Sequence, residues 1–184
     1  MTTRDDLEDG GAGYVAAAVR LISQGGAGRK VEVLTSDFQN NAVAADEVLR
    51  AGVSVFGHNV ETVPSLYEKV RPGASYRRSL TLLERVAARG IITKSALMVG
   101  LGETEEEIRM VMRDLLNAGV TILVIGQYLR PSHQQVPVTK YWEEEAFSSW
   151  EKEAKELGFK AAACGPFVRS SYRAAALFRS ASLH

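Results

Sequence analysis

The sequence predicts an α/β fold built on parallel strands. Three observations carry this reading. Short apolar runs alternate with helical patterns along the chain. Those runs are apolar on both faces, as strands of a helix-covered sheet must be. The loops that follow the strands are polar and glycine-rich, whereas the loops that follow the helices are plain stops.

The first helical pattern covers residues 12–23, with Val15, Val19 and Ile22 at i, i+4 and i+7. The glycines of 25–28 end it, and VEVLT at 31–35 reads as a β-branched strand. A helix over 42–50 stops at Gly52, and residues 53–57 form the next strand. Leu80, Leu83 and Ala87 share one stripe of a helix over 77–88, closed by Gly90. A strand over 92–99 leads to Thr104 and Glu107, whose spacing is that of a capping box. Ile108, Val111, Met112 and Leu115 then make the buried stripe of a helix that Gly119 closes. TILVIGQY at 121–128 is a fourth strand, followed by a proline-containing loop over 130–139. A helix over 142–157 buries Phe147, Trp150, Ala154 and Leu157, and a short strand spans 159–163. The tail over 165–184 is basic and carries no clear periodicity. Residues 1–13 read as the end of a strand and its loop, so the expectation is a first unit lacking its strand.

Composition bounds the function. Lys plus Arg and Asp plus Glu both number 22, so the basic excess of a nucleic-acid binder is missing. No apolar run is long enough to span a bilayer, and Met1 leads into a polar, acidic segment unlike a signal peptide. The expectation is an intracellular protein without nucleic-acid or membrane partners. Cys164 is the single cysteine, which excludes a disulfide framework and any CxxC metal site.

In parallel β/α folds, chemistry sits at the C-terminal ends of the strands. The loops there carry Asp37, His58, Asn59, Glu61, Glu103, Gln127, Tyr128, Arg169 and Ser171. Each also has a plain structural reading. GLGET serves equally as a turn and helix cap, and Asp37 as the cap of the next helix. His58 reads as a satisfied core histidine. Gln127 and Tyr128 could close the top of the core, and Arg169 and Arg173 could pair with the acids of the last helix. Single loops do not discriminate; the ordered set does.

RDDLEDGGAGY (4–14), VEVLTSDF (31–38), FGHNVETVPSLYEKVRPGASYRRSL (56–80), TKSALMVGLGETEEEI (93–108), IGQYLRPS (125–132) and CGPFVRSSYRA (164–174), in this order, resemble lipoyl synthases. These are radical S-adenosylmethionine enzymes. The resemblance implies a partial radical-SAM β/α barrel over 1–164, missing the first strand and most of the second. A tail over 165–184 then carries the RSSY motif. SDFQ and RSSYRA stand nearest plastid-type members. The implied compartment is plastid or mitochondrion in a eukaryote, the plastid favoured, and cytoplasm in a bacterium.

The family inserts two sulfur atoms at carbons six and eight of an octanoyl chain on a carrier lysine. The carriers are lipoyl domains of 2-oxoacid dehydrogenase E2 subunits or the glycine cleavage H protein, and a reductant such as ferredoxin supplies electrons. One 4Fe–4S cluster, on CxxxCxxC, cleaves S-adenosylmethionine to a 5′-deoxyadenosyl radical. A second 4Fe–4S cluster, on CxxxxCxxxxxC and the second serine of RSSY, gives up sulfur. Carried over, Ser171 is the auxiliary-cluster ligand and Arg169 its neighbour. Asp5 and Asp6 receive the S-adenosylmethionine ammonium. Asn59 and Glu61 hold its ribose and amino acid end. Ala96, Met98, Gly100 and Glu103 match a GxIxGxxE-like pattern, with Met98 against adenine. Gln127 and Tyr128 lie on the cofactor side, and Lys94 positions a carboxylate or the substrate.

Both cysteine motifs are missing from these residues, and Gln39–Asn40 replaces a common Arg–Gly. The reading is therefore a lipoyl synthase sequence whose 184 residues lack activity alone. The alternative is a non-catalytic relative that binds S-adenosylmethionine or a lipoyl carrier domain. A generic β/α enzyme using Asp37 and Glu61 for acid–base work is the third reading; spacing alone assigns it no carboxylate pair.

Overall fold

The computed structural model describes residue 4, residues 6–26 and residues 28–183. A helix, α1 (Ala12–Gln24), precedes the first strand, β1 (Glu32–Leu34). The chain continues through α2 (Ala42–Arg50), β2 (Val55–Gly57), α3 (Tyr67–Val70) and α4 (Tyr76–Ala87). Then follow β3 (Ile92–Val99), α5 (Glu105–Asn117), β4 (Ile122–Gln127), α6 (Glu144–Leu157), β5 (Ala161–Gly165) and α7 (Ala174–Ser182). The five strands pair parallel in chain order. Parallel neighbours cannot be joined by a tight turn, so every connection carries a helix.

The pleat sends successive side chains to opposite faces. Leu97, Val99, Leu123, Ile125 and Ala162 face one way and pack on α4, α5 and α6 through Leu83, Ile108, Met112, Leu115, Phe147 and Trp150. Each such fully buried side chain stabilises the fold by about 1.5–3 kcal/mol. The other face presents Val55, Ala96, Ile122, Val124, Ala161 and Ala163. It is covered by the tail, through Val168 and Leu177. A separate cluster joins α1, α2 and α4 beside β1 and β2, around Ala16, Phe38, Val48, Phe56 and Val86.

The capping box at α5 forms as the sequence predicts: Thr104 Oγ1 accepts from Glu107 N, and Glu107 Oε2 accepts from Thr104 N at 2.8 Å. Elsewhere the boundaries move for identifiable reasons. The last strand begins at Ala161, not 159, because Phe159 N bonds Ala154 O and completes the stop of α6 at left-handed Gly158. The helix expected from 142 begins at Glu144, because Trp142 is pinned to the loop after β3. Asp37 does not cap α2: Asn41 Oδ1 does, accepting from Val43 N and Ala44 N. Asp37 instead caps the turn over Phe38–Asn40 and pairs with Arg78 at 3.0 Å. The tail, unreadable from periodicity, folds into α7, and its leading loop lies on the sheet at Gly126. A Cβ at Gly126 would meet Val168 O at 2.4 Å and Arg169 Nη1 at 3.1 Å.

Asp46 of α2 ties this helix to α4, accepting from Arg85 Nε and Nη2 at 2.8 Å each and from Arg89 Nη2 at 2.7 Å. These bonds hold its carboxyl at about 2, below the ordinary 3.8. The unfolded chain therefore binds the proton more readily, and the contribution present above pH 3.8 is lost as pH falls through about 2. Asp46→Asn should flatten that limb of the stability–pH curve, measured by urea unfolding at each pH. An unchanged slope would show that the ties contribute nothing. Gly126→Ala should cost about 1–3 kcal/mol by overpacking and lift the 166–171 loop. Faster tryptic cleavage after Arg169 would report the lift; unchanged cleavage and unfolding would rule out the close approach.

Candidate functional site

The candidate residues sort into groups by strand parity. The first group gathers on the loop after β3. Gly100 has φ +101°, and a Cβ there would meet Gln127 Nε2 at 2.1 Å and Lys140 O at 2.4 Å. The buried Glu103 carboxylate accepts from Gly100 N at 2.6 Å, Leu101 N at 2.9 Å and Trp142 Nε1 at 3.0 Å. Gln127 sits in register with Val99, on the helix-covered face. Its amide donates to Tyr128 O and Lys140 O, and its oxygen accepts from Trp142 N. Tyr128 is buried, with its hydroxyl on Val136 O. Glu103, Gln127 and Tyr128 thus latch the proline-containing loop onto the strand ends. Their hydrogen bonds run to protein partners, and Gln127 sits in register with Val99, on the face opposite Met98.

The second group lies at the end of β2. Glu61 bridges to β3: its N donates to Ala96 O at 3.0 Å, and its O accepts from Met98 N at 2.8 Å. It adopts φ +67°, a left-handed conformation costly for a residue with a side chain. Its Oε1 accepts from Asn59 Nδ2 at 3.1 Å. Burial pushes its carboxyl above the ordinary value, while the Asn59 bond and the Arg71 charge pull it back. Asn59 Oδ1 and Thr62 Oγ1 are buried without a hydrogen-bond partner, and so is Thr35 Oγ1 at the end of β1. Such orphaned groups cost about 1–3 kcal/mol each unless a ligand or water meets them. Met98 is half-buried on the Ala96 face, next to this cluster.

His58 links the two strand ends. Its ring lies between Thr35 O at 3.0 Å and Ser79 Oγ at 2.9 Å, fully buried. Burial pushes its pKa below the ordinary value, so it is neutral, with Nδ1 donating to the carbonyl and Nε2 accepting. The structural reading of this histidine holds. Beside Thr35 a cavity of ≈ 320 Å³, lined by Arg4, Gly10, Gly11, Tyr14 and Phe38 among others, opens between α1 and β1. That volume is in the range of small-ligand pockets. Asp6 is exposed and bound to Arg4 at 2.8 Å; Asp5 lies outside the described residues.

The remaining candidates stand apart. Lys94 is 1% exposed and donates to Glu32 Oε1 at 2.8 Å, so its partner is a protein carboxylate on β1. Arg169 curls onto its own loop, donating to Val168 O at 2.7 Å. Arg173 stacks over Tyr172. The pairs of α6 are instead Glu151 and Glu156 with its own Lys155 and Lys152, and Glu153 with Arg109 of α5. Ser171 is exposed in the turn before α7. The residue that sequence reasoning missed is Arg71, which joins the Asn59–Glu61 loop from beyond α3. Its traces in the sequence are its place before Pro72 and within the 56–80 segment that carries the resemblance, neither of which assigns it a role.

The donor set does not fit a 4Fe–4S cluster. Among the described residues no three His, Cys, Asp or Glu gather as metal ligands. Cys164 packs on the helix-covered face beside Glu151, and burial pushes its thiol up to about 12. Ser171 belongs to the loop that lies on the opposite face. The unpartnered Asn59 Oδ1 and Thr62 Oγ1 near Glu61 are groups that a polar, hydroxyl-bearing ligand such as S-adenosylmethionine would satisfy.

The sequence model of the Radical SAM superfamily matches residues 2–115. The lipoyl synthase of Colwellia psychrerythraea is 51% identical over 174 residues, covering 93% of this chain and 53% of the relative. That of Acidothermus cellulolyticus is 48% identical over 179 residues, covering 97% and 55%. The chain therefore spans about half the length of the curated relatives it matches. In structure it resembles a domain of pyruvate-formate lyase-activating enzyme from Bacteroides vulgatus, with TM-score 0.62, 17% identity and coverage of 84% and 91%. It also resembles methylornithine synthase, with TM-score 0.63, 15% identity and coverage of 76% and 42%. These two likenesses concern the fold. The chain belongs to the radical SAM superfamily, whose members use a 4Fe–4S cluster with S-adenosylmethionine, and its curated relatives are lipoyl synthases.

Proposed function

We propose that these residues form the S-adenosylmethionine-holding part of a lipoyl synthase. The reaction is insertion of two sulfur atoms at carbons six and eight of an octanoyl group on a carrier lysine. The carriers are E2 lipoyl domains or the glycine cleavage H protein, with a reductant of ferredoxin type. The observation that carries this reading is the polar cluster at the end of β2. There Glu61 is held in a strained conformation beside the orphaned Asn59 Oδ1 and Thr62 Oγ1. Asn59 and Glu61 would accept hydrogen bonds from ribose hydroxyls, and Met98 would offer its half-buried thioether to the adenine. Bound S-adenosylmethionine supplies the hydrogen-abstracting radical of the family reaction.

The clusters enter differently. Ser171, as a hard oxygen in an exposed loop, suits a ligand position that completes a cluster held by thiolates from outside these residues. The 184 residues hold no second thiolate, and Cys164 lies on the wrong face. Within this chain the supported chemistry is binding of S-adenosylmethionine. Radical generation requires ligands it does not contain.

Equilibrium dialysis with S-adenosylmethionine tests the binding reading. Glu61→Gln and Asn59→Ala should each weaken binding roughly tenfold, since a hydrogen bond to a charged group contributes about 1.5–3 kcal/mol. Unchanged affinity in both would place the ligand elsewhere. Anaerobic reconstitution of the chain with iron and sulfide should give neither stoichiometric 4Fe–4S absorption nor 5′-deoxyadenosine. Either signal would refute the account of the missing thiolates.

A further inference from the structure

We propose that Arg71 is a positioning residue for the ligand held by Asn59 and Glu61. It braces their loop from behind and sets a positive charge beside the Glu61 carboxylate. The inference rests on the reading of Asn59 and Glu61 as ligand-binding groups.

The geometry begins with Pro72. A proline disfavours the helical region for the residue before it, and Arg71 accordingly leaves α3 at φ −133°, ψ 62°. Its backbone N still bonds Tyr67 O at 2.7 Å, and the side chain turns back over the helix. The guanidinium lies 5.6 Å from the Tyr67 ring centroid. Nη1 donates to Asn59 O at 3.1 Å and to the Tyr67 hydroxyl at 3.4 Å. Tyr67 in turn donates to Val60 O at 2.8 Å. The two carbonyls that precede left-handed Glu61 are therefore both held by this stacked pair. β3 holds the other side of Glu61 through Ala96 O and Met98 N.

A neutral donor could brace a carbonyl; the choice of arginine adds charge. The groups facing Glu61 are Asn59 on its own loop, and Tyr67 and Arg71 from α3 and its end. β3 meets Glu61 through Ala96, Leu97 and Met98, none of them titratable. After the Asn59 hydrogen bond, the Arg71 charge is the next influence that offsets the desolvation of this carboxylate.

The test is calorimetric titration of the chain with adenosine and with S-adenosylhomocysteine, from about pH 5 to 8. The proteins are the parent, Arg71→Met, Arg71→Lys and Glu61→Gln. Arg71→Met should weaken both ligands by a similar factor, roughly tenfold, and move the acid limb of binding to higher pH. Arg71→Lys should restore the acid limb while recovering only part of the affinity. Should Arg71→Met fail to fold, the displaced acid limb of Arg71→Gln serves in its place. Loss for S-adenosylhomocysteine alone would mean that Arg71 grips the amino acid carboxylate, and would overturn the proposal. So would equal weakening at every pH, which marks a purely structural role. If Glu61→Gln leaves both ligands unaffected, the reading of the β2 loop itself falls, and this inference with it.

Discussion

Everything at the working end depends on the alternation of side chains along β3. This strand is eight residues long, the longest of the five, and both β2 and β4 are registered on it. Its pleat commits Leu97 and Val99 to the helix-packed core and Ala96 and Met98 to the opposite face. A slip of one residue would bury Met98 among the helices and carry the same inversion into the neighbouring strands. The apolar stripe of α5, fixed by its capping box, makes such a slip costly. Register is thereby set by the core and inherited by the loops.

That inheritance explains why two loops with similar composition take different roles. After β3 and β4, the polar side chains fall on the helix-facing side or turn toward the returning 130–142 segment. Glu103 bonds its own loop and Trp142, and Gln127 bonds Tyr128, Lys140 and Trp142. After β2, the chain instead rises along β3 and pairs with it at Leu97 through a single residue, Glu61. Its left-handed backbone costs about 1–3 kcal/mol, and burial of its carboxyl adds to that. The backbone bonds to Ala96 and Met98, the Asn59 amide and the Arg71 charge offset these costs. Strain is thus held firmly beside the unpartnered Asn59 Oδ1 and Thr62 Oγ1, whereas the described residues of the latch leave no such group.

The sequence made the strand–helix alternation legible because periodicity reports burial, and burial is what the sheet demands. Thr104 and Glu107 were readable because a capping box is local. The latch was not readable. Trp142 lies 39 residues from Glu103 in sequence, and only the return of the 130–139 segment brings them together. GLGET looked like a cofactor motif and a helix cap at once; the fold shows the carboxylate bonded to its own loop. Arg71 was hidden for the same reason. Its role comes from a proline-enforced turn that aims it at residues twelve positions earlier. α7 is not legible in the sequence because its stripe is short and alanine-rich, and its partner is the sheet face opposite the helix-covered one.

The position of the tail bears on how a cluster could ever be served by this chain. The loop carrying Arg169 and Ser171 rests on Gly126, where only a hydrogen separates sheet from loop. Arg169 folds over carbonyls of the same loop, and Ser171 is exposed two residues on. A serine oxygen binds iron less tightly than a thiolate, so such a ligand holds metal only when firmer ligands fix the rest of the cluster. Cys164 cannot be one of them. It precedes the loop by few residues, yet the pleat turns it to the far side of β5, against Glu151, where desolvation keeps the thiol protonated.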